Sequence, residues 1–262
     1  MLFTAGFLTV SYTYAYGSLG HEIVGEIAES YLCENAADEV TRLLDGESLG
    51  RASRWPDWIR KDPKWRKSRP WHYINVADDA RIDKATGRPG GDVIWAIETY
   101  RGELENRKLG TPRRAEALRF LAHFIADIHQ PLHVGRLEDR GGNSIAVIVD
   151  GQKSNLHKFW DAQQLLKLDR NSRGYDHDGQ VASLRALVAD RAAGLQSAGV
   201  LDWARESQAL RPEVYAFGAD SDELDAKYRA AALQITRARL AAAGVRLAGT
   251  LNDIFCTDSG RG

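Results

Sequence analysis

Residues 115–133 read AEALRFLAHFIADIHQPLH, and this stretch decides the fold class. The stretch has strong helical character up to Pro131, where the helical pattern stops because proline cannot continue an α-helix. Within it His123 and Asp127 are four residues apart, so one helix face presents an imidazole and a carboxylate side by side. We therefore predict a helix over about 112–130 that carries a candidate metal-ligand pair.

The same helical period dominates the rest of the chain, and breakers recur at helix-sized intervals. We predict a mainly α, single-domain protein with one short β-hairpin, whose first strand lies in Ser144–Val149 before an Asp150-Gly151 turn. The charges of the Arg/Ala-rich stretch 186–248 are expected to form a solvated helix face. The other predicted helices span about 20–33, 35–45, 51–60, 92–108, 157–169, 179–197, 199–210 and 221–244.

Composition excludes several classes of protein. The 262 residues are 44% apolar, enough for a full core, which rules out disorder and fibrous repeats. With 35 Lys+Arg against 36 Asp+Glu, the chain lacks the excess charge of a protein that holds nucleic acid through a broad basic field. A nucleic-acid substrate held locally, by metal ions, remains compatible with this balance.

The first fifteen residues are apolar and uncharged, and they are too few to span a bilayer. Thr13 and Ala15 are small residues at the positions that a signal peptidase requires, so we predict a signal peptide over 1–15 and a mature domain over 16–262. Because the stretch has no Lys or Arg, a buried N-terminal strand or helix is the alternative. Cys33 and Cys256, an even pair, could tie the first helix to the C-terminal tail, although the sequence alone does not show that they meet.

A second histidine–carboxylate pair supports a metal site. His157 and Asp161 repeat the four-residue spacing, and His133 follows the break at Pro131. Either pair alone would more often be an ordinary surface pair, but two pairs within forty residues, among apolar and aromatic neighbours, favour metal coordination. Together they offer five ligands of the kind that Zn²⁺ takes.

Three further segments share this composition. Asp57 stands among tryptophans, with Arg60 three residues later, and His72 is flanked by aromatic residues. His21 lies five residues after the predicted new N-terminus. Taken singly, Asp57 could belong to a capped surface helix and His72 could be a satisfied core histidine.

These motifs resemble those of the trinuclear-zinc single-strand-specific nucleases of fungi, plants and bacteria, also described as nuclease I or 3′-nucleotidase enzymes. The resemblance spans essentially the whole predicted mature chain, and it implies a mostly α-helical domain, related in fold to zinc phospholipase C, with a metal cleft between helices. The motifs that carry it are residues 16–21 (YGSLGH), 55–60 (WPDWIR), 71–75 (WHYIN), 123–133 (HFIADIHQPLH), 141–143 (GGN) and 155–161 (NLHKFWD).

The resemblance implies three Zn²⁺ sites. The first is expected to be held by Asp57, His72, His123 and Asp127, and the second by His133, His157 and Asp161. The third is expected to use His21, the bridging Asp127, and the α-amine and carbonyl of Tyr16, which become available only after signal cleavage. The family usually has Trp at that position, and the backbone contacts of Tyr16 should preserve coordination. His129 is expected to support the site or the fold from outside the ligand sets, and His177 is predicted to lie in a polar loop, 169–179, without a catalytic role.

The chemistry that the resemblance implies is hydrolysis of phosphodiesters to 5′-phosphorylated nucleotides, with 3′-nucleotidase activity, because neighbouring zinc ions lower the pKa of a bound water. Asp57 is expected to orient that water or accept its proton, and Arg60 to bind the phosphate oxygens. Unpaired bases enter a cleft more cheaply than stacked ones, which accounts for a single-strand preference.

For the base we predict stacking on Tyr73 and a polar contact from Asn75, where the best-known fungal members carry Asp. Arg140 stands where the family makes an apolar base contact, with a solvent-exposed loop arginine as the alternative, and Asn143 is a further candidate. We expect single-stranded DNA or RNA and 3′-nucleotides as substrates, no stable nucleic-acid complex, no membrane anchor, a monomer, and a secreted or periplasmic location.

The sequence leaves two alternative functions. A zinc phospholipase C that cleaves choline phospholipids resembles this chain in fold and metal chemistry. Its first histidine lies further from the mature N-terminus than His21 does from Tyr16, and its final ligand is Glu rather than Asp161. A non-enzymatic, zinc-stabilised helical protein is disfavoured because structural sites use cysteine-rich sets, and neither cysteine here adjoins a ligand motif.

Overall fold

The computed structural model describes residues 17–85, 89–165, 176–217 and 222–256. The predicted signal peptide and Tyr16 lie outside the described residues, as do 166–169 of the predicted helix 157–169. Among the described helices, none combines the length and the apolar composition needed to cross a bilayer.

Helices build most of the described chain, as predicted. Besides the α-helices there are 3₁₀ helices at Pro63–His72, Pro131–Val134 and Ala189–Arg191, and a π-helical turn at Phe159–Gln163. The α-helices are α1 (Gly17–Glu29), α2 (Glu34–Leu43), α3 (Leu49–Ala52), α4 (Trp55–Ile59), α5 (Val93–Glu105), α6 (Thr111–His129), α7 (Leu156–Lys158), α8 (His177–Val188), α9 (Ala192–Gln196), α10 (Val200–Ala209), α11 (Arg211–Val214) and α12 (Ala226–Phe255).

The predicted hairpin is confirmed. Strands β1 (Ala146–Val149) and β2 (Gln152–Asn155) are antiparallel, with Val147 opposite Ser154. The turn residues Asp150 and Gly151 have φ of 52° and 71°, the left-handed pair that a tight two-residue hairpin needs. The hairpin leads directly into α7, so it delivers the second histidine–carboxylate pair to the helical body.

Helix α6 lies at the centre of the molecule. From Ala117 to His129 nearly all of its residues are buried, and it packs against α5, α12, α10, α2 and α1. A helix that is covered on every side holds its polar residues in a fixed environment, since they cannot reach solvent. His123 and Asp127 are therefore placed in the protein interior.

The last helix is longer than predicted. We predict its end at Gly244, and glycine commonly terminates helices, but α12 continues to Phe255. A Cβ on Gly244 would lie 2.4 Å from Ile27 Cγ2, so this glycine serves the close approach of α12 to α1. The prediction was wrong because packing, which the local sequence does not reveal, overrides the usual meaning of the residue.

Three other predicted helices are interrupted. Residues 51–60 form two short helices, α3 and α4, with Pro56 in the first turn of the second. The segment from 157 is a short α-helix followed by a π-helical turn, and 179–197 is broken by the 3₁₀ turn Ala189–Arg191. His177 is the first residue of α8 rather than part of a loop, because Asp176 caps that helix through the backbone N–H of Gly179.

The prediction of a solvated charged face is wrong for Arg211, Arg239 and Arg246, which are all buried. Arg246 donates from Nη2 to Glu206 Oε1 over 2.6 Å, and Arg239 donates from Nη1 to Glu206 Oε2 over 2.5 Å. Arg211 donates from Nη2 to the carbonyl of Gly135 over 2.6 Å. Each charge is paired, which is what allows arginine to be buried.

A disulfide joins Cys33, which caps α2, to Cys256, which ends α12, with 6.8 Å between their Cα atoms. This confirms the suggested link between the end of the first helix and the C-terminal region. Asn252 strengthens it, since its side chain accepts from Cys33 N over 2.9 Å and donates to Tyr31 O over 2.9 Å.

Replacing both cysteines (Cys33→Ser, Cys256→Ser) is expected to lower the free energy of unfolding by about 4 kcal/mol and the Tm by about 10 °C, because the bond closes a loop of 223 residues. Serine retains the cap of α2, so the loss of stability measures the contribution of the disulfide alone. Thermal unfolding followed by circular dichroism measures it. The wild type under reducing conditions should match the variant, and an unchanged Tm would contradict the expectation.

Candidate metal centre

Eight predicted ligand side chains converge from separate parts of the chain. His21 comes from α1, Asp57 from α4, and His72 from the end of the 3₁₀ helix Pro63–His72. Helix α6 supplies His123 and Asp127, and the 3₁₀ helix after it supplies His133. His157 comes from α7, and Asp161 comes from the π-helical turn that follows. All except His157 are buried. In chain order they are His21, Asp57, His72, His123, Asp127, His133, His157 and Asp161.

Asp127 is the central carboxylate. Its Oδ2 lies 2.9 Å from His72 Nδ1 and 3.1 Å from His123 Nε2. Its Oδ1 lies 3.5 Å from His21 Nε2 and 3.6 Å from His133 Nδ1. One carboxylate thus faces imidazoles on both sides, an arrangement in which it can bridge two cations.

Asp161 organises the other end of the centre. Its Oδ2 lies 3.1 Å from His157 Nε2, and its Oδ1 lies 3.3 Å from His133 Nε2. The two imidazole rings are stacked, with centroids 5.2 Å apart. The two predicted pairs from α6 and α7 therefore meet through His133.

In the described part of the chain, three groups of side chains place ligand atoms within 4.8 Å of one another and could each hold a metal ion. The third group has the composition that the resemblance implies for the second site. The first two groups share His123, and His21 stacks on that ring at 3.9 Å. The groups are His21, Asp57 and His123; His72, His123 and Asp127; and His133, His157 and Asp161.

Backbone carbonyls orient three of the imidazoles. The Nδ1 atoms of His123, His133 and His157 each lie 2.7 Å from a carbonyl oxygen, of Ser53, His72 and Gly141 respectively. With the proton on Nδ1, the Nε2 lone pair is free to bind a metal ion. Sequence reasoning missed these acceptors because a carbonyl carries no residue signature.

Two buried side chains fit a metal ion better than they fit protein partners. In the described ranges, neither ring nitrogen of His21 has a hydrogen-bond partner, and neither does Oδ1 of Asp127, although both side chains are fully buried. Buried polar atoms are normally paired, and a cation that they coordinate would satisfy them. Imidazoles and carboxylates are among the donors that bind zinc.

Burial and the neighbouring charges oppose each other at this centre. Burial raises the pKa of Asp57 to about 6 and lowers the pKa of His72 to about 3. Burial also acts to lower the pKa of His133, but the Asp127 and Asp161 carboxylates outweigh it and raise that pKa to about 9. Protons therefore compete with a metal ion for His133, so metal binding weakens as the pH falls.

Gln130 supports Asp161 from between the two motifs. Its side-chain amide donates to Asp161 Oδ1, while its Oε1 accepts from Leu132 N over 2.5 Å. Both contacts are buried, so the amide fixes the carboxylate and the turn at Pro131 together. The sequence signal for this role is the polar residue just before that proline.

Gly135 and Gly141 pack closely against each other and against Leu132, next to the ligand His157. A Cβ on Gly141 would lie 2.5 Å from Leu132 O, and one on Gly135 would lie 2.3 Å from Gly141 Cα. Only glycine permits this approach, and it brings the Gly141 carbonyl to His157. Asn75 lies beside the same contact, with its Oδ1 buried and without a hydrogen-bond partner among the described residues.

The predicted phosphate and base contacts lie next to ligand residues or on the turn at 140–143. Arg60 Nη1 lies 3.3 Å from Asp57 Oδ1, and Tyr73 is half-buried directly after His72. Arg140 and Asn143 are exposed on the glycine turn, where Arg140 has a φ of 59° and accepts from Asn143 Nδ2 over 2.9 Å at its carbonyl. The side chain of Asn143 is thus engaged in holding the turn.

The two remaining histidines lie outside the three groups. His129 is buried, with Nδ1 2.7 Å from Ile125 O and Nε2 2.9 Å from Arg246 Nη1, so it joins α6 to α12. His177 Nε2 lies 2.6 Å from Glu26 Oε2 and joins α8 to α1. Both connect helices rather than line the centre.

Comparison with known proteins agrees with this geometry. The family model described as S1/P1 Nuclease matches residues 16–256. Endonuclease 2 of Arabidopsis thaliana is 32% identical over 277 residues, covering 92% of this chain and 91% of that protein. Nuclease S1 of Aspergillus oryzae is 36% identical over 161 residues, covering 57% of this chain and 54% of that protein. Nuclease P1 of Penicillium citrinum is 30% identical over 206 residues, covering 75% and 74% respectively. The chain therefore belongs to the S1/P1 nuclease family, and it is a hydrolase that acts on phosphodiester bonds.

Proposed function

We propose that this protein is a zinc-dependent phosphodiesterase that hydrolyses single-stranded DNA or RNA to 5′-phosphorylated nucleotides and also removes 3′-phosphates from nucleotides. The observation that carries the proposal is the convergence of eight buried or nearly buried His and Asp side chains in a member of a nuclease family. No side-chain nucleophile is needed for this chemistry.

Three zinc ions are proposed to occupy the centre, with Asp127 bridging two of them. The first would be held by Asp57, His72, His123 and Asp127, the second by His133, His157 and Asp161, and the third by His21, Asp127 and the backbone of Tyr16. What supports the last set is the proximity of His21 to Asp127, at 3.5 Å. The proposal includes signal cleavage before Tyr16, since an amide nitrogen cannot act as the amine ligand.

When bound, the zinc ions would acidify a water molecule and offset the negative charge of the phosphate. The protein residues would do the rest. Asp57 would orient the attacking water and accept its proton, because its carboxylate belongs to the first group and lies beside Arg60. The Arg60 guanidinium would bind the phosphate oxygens as negative charge develops on them.

Base recognition is proposed for the side chains near Gly135 and Gly141. Tyr73 would stack on an unpaired base, and Asn75, which has an unpartnered amide oxygen, would contact a base edge. Arg140 would contact the base on the side opposite Tyr73, and Asn143 would hold the turn that carries Arg140. Unpaired bases reach such a site without the cost of unstacking, which favours single strands.

We further propose that the protein is a secreted or periplasmic monomer with no membrane anchor and no stable nucleic-acid complex. The disulfide supports an oxidising compartment. Because both cysteines are in that bond, neither is a zinc ligand, which weighs against the structural zinc protein considered as an alternative.

The test is product analysis with a protein whose true N-terminus is Tyr16. Zinc-loaded protein is expected to release 5′-mononucleotides from single-stranded DNA, and chelation should abolish the release until zinc is restored. A folded, zinc-loaded protein that leaves DNA and RNA intact would sink the proposal. Cleavage of choline phospholipids by that same protein would favour the phospholipase alternative.

A further inference from the structure

Residues 61–69 (KDPKWRKSR) form a strongly basic segment in a chain whose overall charge is −1. Five of its nine residues are Lys or Arg and one is Asp, which gives the segment a net charge of +4. The five cationic side chains are exposed. The only carboxylate in the segment, Asp62, caps the 3₁₀ helix by accepting from Lys64 N over 2.9 Å.

The basic segment is attached to the metal centre at both ends. It begins directly after Arg60, and it continues as the 3₁₀ helix that ends at His72. Trp65 packs against Trp55 and Phe120, with ring centroids 5.6 and 5.4 Å apart. This anchoring presents the cationic side chains on a rigid support beside the cleft.

The 3₁₀ geometry aligns the arginines with a ligand. Residues three apart eclipse each other in a 3₁₀ helix, and each such step rises about 6 Å. Arg66, Arg69 and His72 therefore share one edge, so two exposed guanidinium groups lead along the helix to a side chain of the centre. Among the described residues, neither Arg66 nor Arg69 has a carboxylate partner within ion-pair distance.

We propose that Arg66 and Arg69 bind backbone phosphates of the single strand beyond the scissile bond. This inference rests on the proposed function and deepens it, because it assigns the path of the uncleaved strand. The step between the two arginines is comparable to the spacing of successive phosphates in an extended strand, and a guanidinium binds a phosphate through two parallel hydrogen bonds. A local row of cations can hold a polynucleotide where the overall charge gives no attraction.

The double variant Arg66→Gln, Arg69→Gln tests this. Each phosphate contact on a single strand contributes about 0.7 to the salt slope, so the plot of log(kcat/KM) against log[salt] should become shallower by about 1.4 for an oligonucleotide substrate. The ratio of wild-type to variant kcat/KM should then grow about 25-fold between 0.5 M and 0.05 M salt. For a 3′-mononucleotide, which has no phosphate beyond the scissile bond, that ratio should not depend on salt.

The matched control is Arg107→Gln, Lys108→Gln. These exposed cations lie between α5 and α6, just before Thr111, which is 12 residues, or about 18 Å, along α6 from His123. This variant removes the same charge and should leave the oligonucleotide salt slope within about 0.3 of the wild type, well under the change for two contacts.

The outcomes separate the two proposals. If the wild type hydrolyses neither substrate, the proposed function fails. The basic segment can then still be tested by the binding of a fluorescent oligonucleotide to the metal-free protein. The plot of log affinity against log[salt] should again be shallower for the double variant by about 1.4. If the wild type is active but the two double variants show equal slopes, or if mononucleotide hydrolysis acquires the same salt dependence, the assignment of Arg66 and Arg69 is overturned.

Discussion

Asp127→Asn is expected to reduce kcat/KM on single-stranded DNA by at least about 10³-fold, a loss of about 4 kcal/mol of transition-state stabilisation. The carboxylate lies between four imidazoles, at 2.9 to 3.6 Å from the nearest nitrogen of each. An amide keeps the shape of the side chain but loses the negative charge and the capacity of both oxygens to bind cations. The bound zinc, measured by mass spectrometry of the purified protein, should fall by at least one ion per chain.

The matched control is Asp92→Asn. Asp92 is also fully buried, and it caps α5 by accepting from Trp95 N over 3.0 Å. Asn caps helices about as well as Asp, so this variant should keep the fold, the zinc content and the activity. A circular dichroism spectrum of Asp127→Asn that matches the wild type would show that the fold is retained. If that variant held a full set of zinc ions and remained active within tenfold, Asp127 would not be a bridging ligand.

Arg60→Gln is expected to lower kcat by about 10²- to 10³-fold while the zinc content stays at the wild-type level. The guanidinium lies 3.3 Å from Asp57, and the Arg60 side chain is 24% exposed. Because its contribution arises where charge develops in the transition state, the change should fall on kcat more than on KM. Arg60→Lys should recover little of the loss, since an ammonium group cannot make two parallel hydrogen bonds.

Arg54→Gln serves as the control for that change. Arg54, the residue before α4, has a similarly exposed side chain, at 27%, and it pairs with Glu22 of α1 over 3.3 Å. Its loss should alter kcat by less than about threefold, because surface ion pairs contribute little. Steady-state kinetics on one oligonucleotide, with zinc analysed in every sample, compares the three variants. Equal losses in Arg54→Gln and Arg60→Gln would contradict a specific role for Arg60.

The sequence predicted the helical architecture because apolar periodicity is a local property that the fold must respect. The clearest case is α6, whose predicted range of 112–130 differs by one residue at each end from Thr111–His129. Predictions failed where a residue had two possible roles. Gly244 could end a helix or admit a neighbour, and only the position of Ile27 in α1 decides between these.

Buried arginines illustrate the same limit. Arg239 and Arg246 read as surface charges because their partner, Glu206, is far away in the chain. The 3₁₀ helix Pro63–His72 has few apolar residues, so periodicity gave no sign of it. Its place depends on Trp65 and Trp71 packing against α6.

The sequence by itself indicated His123 with Asp127 and His157 with Asp161 as candidate metal ligands, because a four-residue spacing brings two side chains to one face of a helix. It also indicated the hairpin, through the turn at Asp150-Gly151. Only the tertiary structure decided that His21, His72 and His133 converge on Asp127, that carbonyls fix three of the imidazoles, and that Gln130 holds Asp161. These contacts join residues that are distant in sequence or use backbone atoms common to every residue, so no local pattern encodes them.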